Sequence, residues 1–534
     1  RQDSCQALKS KSTLTLEGKS MKRRDFIKKT GVITGGAVLS GVPMISAFGQ
    51  STNPTKGGVI RWGHSETSQN IDMHQTGTAS THRTMNNIME SLYWPDENLV
   101  FQPVLATGTE ISSDGLTYTI GLRKDVKFHN GQPMTAADVK YSIDRILNPD
   151  TGATSYNDFK NITEVVAVDD HTVRIHRSAV DPFFIYRIGG MGGGVVMPEG
   201  SGDVQGTEPI GTGPFQFVSR TMGSEFKMKR FDGYWGQPAY LDGVDISEVT
   251  EATTRLTGLM TGEFDVINDV PLDRVGEVQA NSNVQTHNFS PVSNCFLNFN
   301  HGKEPFGDPR VRLAMDYCID KPTLVEGALW GQGGPETNML YGGPAYNNSL
   351  KQRPQDFDKA RSLLKEAGVS GLEFEFAVTT NYPWHVDATQ IMAEWFKEAG
   401  IKCNIKKYNW SDWLANCWIV GDVPNYDVTM MNFFGITNPS FFNLVYHSKG
   451  GFNYRSINDP ALDELIDRAG VTIDDDKRNS ILIEVQKYVH DQAVDVVLWR
   501  RDGTNAASKK VGGLDNLPQA DNMSFFFKNV WMES

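Results

Sequence analysis

The sequence predicts an α/β protein of more than one domain, with mixed sheets flanked by helices. Three observations predict it. At 534 residues the chain exceeds what one hydrophobic core organises, so two or three domains are expected. Leu116, Tyr118, Ile120 and Leu122 alternate with small or polar residues, the period of a half-buried strand. Between 357 and 440, helix and strand patterns succeed one another, as they do in a βαβ unit with a parallel sheet.

The first fifty residues read as an address. Residues 1–20 precede Met21 and are set aside as an upstream leader. Met-Lys-Arg-Arg-Asp-Phe-Ile-Lys-Lys, from Met21, resembles a twin-arginine export signal covering 21–49. The stretch from Thr30 to Gln50 is uncharged and only mildly apolar. Ala47-Phe48-Gly49 offers small residues for cleavage before Gln50. An uncleaved anchor is the competing reading, because the uncharged stretch is near spanning length. Gly31, Gly35, Gly36, Gly41 and Pro43 weigh against it. No later segment approaches a membrane span, so the mature body is expected to be soluble.

Residues 57–135 are rich in strand signals. Thr135 and Asp138 then form a capping box for a helix that runs to about Leu147 and stops at Pro149. Further on, Asp358 is expected to cap a helix with Ala360, Leu363, Leu364 and Ala367 on one face and Gly368 as terminator. Leu372, Phe374, Phe376 and Val378 alternate as a strand. Asp387 is expected to cap a second helix, with Ile391, Met392, Trp395 and Phe396 apolar and Gly400 ending it. Ile401, Cys403 and Ile405 alternate again, and Tyr426 to Phe434 reads as one more strand.

Ligands of open α/β sheets bind beyond the carboxyl ends of the strands. Those ends are the segments 379–386, 407–413 and 433–440, each placing aromatic residues beside hydrogen-bonding ones. Such a mixture suits a pocket that stacks on an organic solute and orients it with a few polar groups. Tyr382, Trp384, His385, Trp410, Phe433 and Asn438 are the candidates, while Trp395 and Trp413 read as core. His64 and Arg187 join them as polar candidates from the first half. Arg187 precedes the glycine run Gly189-Gly-Met-Gly-Gly-Gly194, which lacks the GxGxxG spacing and reads as a flexible turn.

Composition narrows the function classes. The chain carries 51 basic and 64 acidic side chains. Residues 1–50 hold nine and three of these, which leaves 42 against 61, a net charge of −19. So acidic a body offers no footprint for nucleic acid and is repelled by anionic lipid. After Cys5 the cysteines are Cys295, Cys318, Cys403 and Cys417, too few for a disulfide scaffold and without zinc spacing. A Cys403–Cys417 disulfide and buried free thiols both remain open. No metal and no cofactor are expected. GxSxG, HExxH and P-loop motifs are absent, which argues against an enzyme without deciding it.

From about residue 58 onward, the chain resembles the family 5 extracellular solute-binding proteins of ABC transporters, which include dipeptide-, oligopeptide- and nickel-binding members. The resemblance rests on five ordered blocks. The first is Asp114-Gly-Leu-Thr-Tyr-Thr-Ile-Gly-Leu-Arg-Lys-Asp-Val-Lys-Phe-His-Asn-Gly131, continuing to Thr135-Ala-Ala-Asp-Val139. Ile210-Gly-Thr-Gly-Pro-Phe215, Phe231-Asp-Gly-Tyr-Trp-Gly236, Pro305-Phe-Gly-Asp-Pro-Arg-Val-Arg312 and Asp459-Pro-Ala-Leu-Asp463 follow. Most of this signature reads as scaffold. Asp308 caps a helix with Pro309 at its first position and Val311, Ala314, Met315 and Cys318 as its buried stripe. Gly211 and Gly213 are expected to supply backbone angles closed to other residues, and His129 reads as structural.

The resemblance implies a two-lobed periplasmic-binding-protein fold. One lobe would be 57–293 plus 504–534, with an extra subdomain at about 83–205, and the other 299–498. Hinge-like crossovers would lie near Ser293–Asn298 and Leu498–Gly503, and lobe closure would trap the solute. It implies a periplasmic, monomeric protein that hands a small solute to permease subunits in the inner membrane. Dipeptide-binding relatives hold the peptide's carboxylate with an arginine matching 379–386 and its ammonium with an aspartate matching 435–442. Neither is present here, which disfavours a zwitterionic dipeptide. An oligosaccharide, an organic acid or a longer peptide fits, and nickel finds no histidine pair. An exported hydrolase and a protein-binding chaperone are the rival classes.

Overall fold

The structure, a computed structural model, describes residues 54–96, 98–190, 194–289, 293–434, 439–514 and 526–533. The leader and twin-arginine segment lie outside the described residues, as do Asn438 and residues 191–193 of the glycine run.

Two mixed sheets organise the body. The first has seven strands in the order Val284–Phe289, Gly503–Ser508, Val266–Ile267, Val59–His64, Gly243–Glu248, Glu225–Arg230 and Phe215–Thr221. Val59–His64 runs parallel to both of its neighbours, and the outer pairs are antiparallel. The second has six strands in the order Gly333–Pro335, Asp495–Arg501, Ser293–Phe299, Val428–Phe434, Glu373–Thr379 and Lys402–Tyr408. Glu373–Thr379 and Lys402–Tyr408 are parallel, with Phe374 opposite Cys403 and Phe376 opposite Ile405. The βαβ unit read from the sequence is therefore present. The sheet as a whole is mixed, because Ser293–Phe299 is antiparallel to both neighbours.

Every residue of Ser293–Phe299 is buried. The reason is the period of two. Cys295, Leu297 and Phe299 enter one apolar core with Phe374, Phe376, Met392 and Phe396, while Phe296 enters a second core with Ala377, Trp413 and Phe433. A strand covered on both faces reads as a continuous apolar run rather than an alternation.

A third, four-stranded antiparallel sheet (Ala106–Ile111, Thr117–Leu122, Thr172–Arg177, Ile162–Asp169) lies under the helix Ala136–Leu147. That helix starts where the capping box predicts. The Asp138 carboxylate accepts from the Thr135 N–H at 2.7 Å and from its hydroxyl at 3.0 Å. Two other predicted caps move. The helix Phe357–Glu366 is capped by Asp356, whose carboxylate accepts from Lys359 N at 2.8 Å, rather than by Asp358. The helix Pro383–Glu398 begins at Tyr382 with Pro383 at its first position, so Asp387 is interior. Proline is favoured at that position, where its missing N–H would have no partner. Asp308 caps Pro309–Asp316 as predicted, accepting from Arg310 N at 2.8 Å.

The Gly211–Gly213 turn needs glycine for a reason other than backbone angle. Neither residue has a positive φ. A Cβ on Gly211 would stand 2.1 Å from the Ile88 carbonyl oxygen, and one on Gly213 would stand 2.6 Å from that of Asn87. His129 fastens the same turn: Gly211 N donates to its Nδ1 at 3.2 Å, and its Nε2 donates to the Gly213 carbonyl at 3.0 Å. Burial holds the ring neutral, its pKa down to about 4. The structural role expected of His129 is what this geometry describes.

The chain passes twice between the two large sheets. Val284–Phe289 belongs to the first and Ser293–Phe299 to the second; Asp495–Arg501 returns through Asp502 to Gly503–Ser508. Away from these crossings, segments flanking the four-stranded sheet also meet the helix Asp475–Asp491 and the turn before it. The Arg478 guanidinium lies 5.4 Å over the Phe183 ring, and Gly115 abuts Ile473. Among the described residues, no helix is long and apolar enough to cross a membrane.

Candidate solute-binding site

The helix Pro383–Glu398 follows the strand Glu373–Thr379, and its first turn carries Trp384 and His385. The segment 379–386, expected as a loop, is thus largely a helix start, which holds its rings in fixed places. Tyr382 lies 5.4 Å from Trp384, 5.0 Å from His385 and 6.1 Å from Trp410, measured between ring centroids. Trp410 opens the next helix, Trp410–Cys417, and stacks at 5.5 Å on Trp413, which is fully buried as core. Tyr382, Trp384 and Trp410 are half-buried, so each ring keeps an accessible part.

His385 is fully buried. Its Nε2 lies 3.2 Å from Asn432 Oδ1 and 3.6 Å from Cys295 Sγ, while its Nδ1 has no hydrogen-bond partner. Burial lowers its pKa to about 4, so the ring is neutral near pH 7. The Cys-His-Asn grouping looks like a thiol nucleophile but lacks its electronics. Both neighbours share one ring nitrogen, and burial pushes the Cys295 thiol well up, away from the thiolate that attack requires. All four described cysteines are free thiols, which settles the disulfide question for Cys403 and Cys417. Burial pushes Cys318, Cys403 and Cys417 to about 12.

Facing these rings across the crossing are residues of the first sheet. His64 is 1% exposed at the end of Val59–His64, with Nδ1 donating to the Glu66 carbonyl at 2.7 Å and Nε2 without a partner. Burial, seconded by Arg83, lowers its pKa to about 3. Asp269 follows Val266–Ile267 and adopts φ 53°, a conformation that residues other than glycine take up at a cost. Its carboxylate accepts from Ser65 Oγ at 2.6 Å and Asn268 Nδ2 at 2.8 Å, with Arg83 at 3.5 Å. Burial alone would push that carboxyl up, yet Arg83, Ser65 and Arg501 hold it down at about 2. Arg83 is itself buried and also lies 3.6 Å from Glu66.

Arg501 ends the strand Asp495–Arg501 and was not among the sequence candidates. Its guanidinium sits 4.9 Å over the Trp384 ring. Its charge is felt at Tyr382 and His385 on one side and at Asp269 on the other. Glu66, Arg83, Asp269 and Arg501 thus form a charged floor that the ring-bearing segments do not contain.

The remaining candidates lie elsewhere. Arg187 lines a cleft of about 720 Å³ between residues 157–187 and residues 439–482, shared with Lys160, Phe441, Lys449 and Phe452. That volume is in the usual range for small-molecule sites, roughly 300–1,000 Å³. Arg187 is already paired, however, with Asp181 at 2.8 Å and with Asp158. Phe433 is 5% exposed and packs 5.5 Å from Phe296 and 5.6 Å from Phe441, which borders the cleft. Among the described residues, no group of three or more histidine, cysteine or acidic side chains is placed to hold a metal ion.

Comparison with known proteins decides what scaffold carries this site. The family described as bacterial extracellular solute-binding proteins, family 5, middle region, matches residues 100–453. The chain belongs to that family. The glutathione-binding protein GsiB of Salmonella choleraesuis is 32% identical over 340 residues, an alignment covering 63% of this chain and 66% of GsiB. The chain thus matches slightly less than two thirds of the length of that curated relative. Among solved structures, the ABC transporter substrate-binding protein CtaP of Listeria monocytogenes superposes with a TM-score of 0.82. It is 22% identical and covers 90% of this chain and 100% of CtaP. AgaA of A. tumefaciens R10, solved with agropinic acid, gives a TM-score of 0.71 at 25% identity, over 89% of this chain and 99% of AgaA. The mixed sheets and helices of this family 5 member are those of the two-lobed periplasmic-binding-protein fold.

Proposed function

We propose that this family 5 protein is the extracytoplasmic solute-binding subunit of an ABC transporter. It captures a small organic solute between its lobes and delivers it to inner-membrane permease subunits. The observation that carries this reading is the convergence of both large sheets on one ring-and-charge cluster, beside the two crossings of the chain. A cluster built half from each lobe is completed only when the lobes approach, and that couples binding to closure. In this reading the lobes are 57–293 with 504–534, and 299–498, and the subdomain at about 83–205 carries Arg187 to the cleft's rim. Tyr382, Trp384 and Trp410 stack on the solute; His64, His385 and Asn438 orient it; Arg187 and Phe433 bound the entrance. The protein works as a monomer in the periplasm, exported through the twin-arginine pathway, without cofactor and without turnover of its ligand. GsiB by its name binds glutathione, AgaA was solved with agropinic acid, and a peptide or organic acid suits this cluster better than an oligosaccharide.

The test is a thermal-shift screen followed by small-angle scattering. The solute with the largest shift is expected to contract the molecule; an unchanged radius with saturating solute rejects closure. Trp384→Ala is expected to weaken that solute at least about tenfold while costing less than about 2 kcal/mol of unliganded stability, since the ring is only half-buried. Trp413→Ala, by contrast, should cost about 3–5 kcal/mol. Equal losses of unliganded stability in a urea titration would place Trp384 in the core and refute its stacking role.

A further inference from the structure

Arg501 is the member of the junction that the protein leaves uncompensated. Arg255 lies nearby, but its guanidinium is used up on backbone carbonyls, donating to those of Val249, Thr250, Asn268 and Asp269 at 2.8 to 3.3 Å. Arg83 has both Asp269 and Glu66 within 3.6 Å. Arg500, next in sequence, lies against Asp502 at 3.3 Å. Arg501 forms no ion pair among the described residues, and its Nε is buried without a hydrogen-bond partner. Its neighbour is an aromatic face, that of Trp384 at 4.9 Å. A ring quadrupole attracts a cation but does not neutralise it. Burial accordingly lowers the guanidinium's pKa against the pull of Asp269.

Counting formal charges gives the same result. Arg83, Arg255, Arg500 and Arg501 bring four positive charges to the junction, and Asp269, Glu66 and Asp502 bring three negative ones. A desolvated charge without a counter-ion is costly, and proteins retain it where a ligand supplies the partner. Trp384 Nε1 and His385 Nδ1, around the same ring cluster, are also buried without partners.

We propose that the transported solute presents a single carboxylate to Arg501, with the adjoining part of the molecule stacked on Trp384. This rests on the solute-binding reading above and narrows it to organic monoacids and to peptides held by one carboxyl end. One uncompensated charge matches a monoanionic carboxylate rather than a dianionic phosphate. A guanidinium stacked on a ring also keeps its N–H edge free for a planar acceptor. Neutral oligosaccharides would leave the charge unpaired and are excluded as the main cargo. The charged floor also replaces the countercharges missing from 379–386, so Arg501 can receive a carboxylate although that segment has no arginine.

The experiment pairs each acid with its own primary amide. Glutathione, agropinic acid, N-acetylated amino acids and short peptides are titrated against wild type, Arg501→Gln and Arg501→Lys, followed by tryptophan fluorescence and thermal shift. Binding is expected among acids, with the matched amide at least about 30-fold weaker, the scale of losing one partner of a buried charge pair. Arg501→Gln should lose the same factor for the acid and nothing for the amide. Its unliganded melting point should hold or rise, because a partly buried charge without an ion-pair partner has been removed. Arg501→Lys should recover part of the affinity. Amides binding as well as acids, or Arg501→Gln binding the acid within threefold of wild type, overturns the proposal. So does a panel in which no acid binds. Neutral sugars run beside it separate the two ideas: a sugar that contracts the wild-type protein sinks this inference and leaves solute capture standing.

Discussion

Replacing Arg455 by methionine is expected to cost about 3–5 kcal/mol of folding stability, the loss typical of breaking a buried ion pair from one side. Arg455 and Asp495 have no exposed side-chain surface and are joined by a direct ion pair, and Arg455 also donates to the Val445 carbonyl. Burial pushes the Asp495 carboxyl up, and the Arg455 guanidinium is what holds it down against that pressure. Without the guanidinium the carboxyl keeps only Asn298 and the more distant Arg312 against its burial, and it must be protonated or left charged in an apolar core. The double substitution Arg455→Met with Asp495→Leu should recover most of the loss, since the same volume filled by apolar groups needs no counter-ion. Urea titration of the two single variants and the double variant measures the coupling. Near-additive losses would mean the pair is an accident of packing.

The effect should reach the solute. The Arg455 guanidinium lies 5.1 Å over both Tyr446 and Tyr454 and 6.0 Å over Phe433. Tyr454 stacks at 4.4 Å on Trp418, and its hydroxyl donates to Asn298 Oδ1 at 2.6 Å. The ion pair therefore braces the ring wall beneath Phe433 and ties it to the strand Ser293–Phe299, the first strand after a crossing. A weaker shift from solute in Arg455→Met, at temperatures well below its own unfolding, is the expected sign.

Much of this scaffold was legible in the sequence because its signals are local. Phe374, Phe376 and Val378 alternate, and they are buried in a strand. Thr135 with Asp138, and Asp308 with Pro309, mark helix starts by hydrogen bonds that span two or three residues. The two misplaced caps fail for a local reason too. Asp356 and Asp358 both fit a helix start, and the first wins by reaching Lys359 N. At the other start, Pro383 was the stronger signal than Asp387. The charged half of the site was not legible, because Glu66, Arg83, Asp269 and Arg501 meet only once strands from both sheets are in place. A hint existed: Arg500-Arg501-Asp502 closes the apolar run Val496–Trp499, and charge at the end of a buried strand needs a purpose.

Acid is expected to unfold the protein well before its carboxylates titrate. Six histidines are held neutral by burial: His64 and His301 with pKa about 3, His74, His82, His129 and His385 with pKa about 4. In the unfolded chain each titrates near the ordinary value of about 6.5. Above that pH neither state takes up protons at these rings, and they contribute no pH dependence. Below it the unfolded chain binds protons that the folded protein refuses, so stability falls from about pH 6.5 down to about 4, and to about 3 for the two lowest. Each ring contributes up to about 3 kcal/mol across that window, and the two lowest up to about 5, so six together exceed the margin of an ordinary domain. The urea midpoint should therefore collapse between pH 6 and 4.5. His82 offers the clean single-site check, because burial alone lowers it. His82→Leu should flatten the dependence by one proton, about 1.4 kcal/mol per pH unit, while changing stability little at pH 8. An unchanged slope would mean that His82 is protonated with the fold intact, and that the interior around the first sheet is wetter than its packing implies.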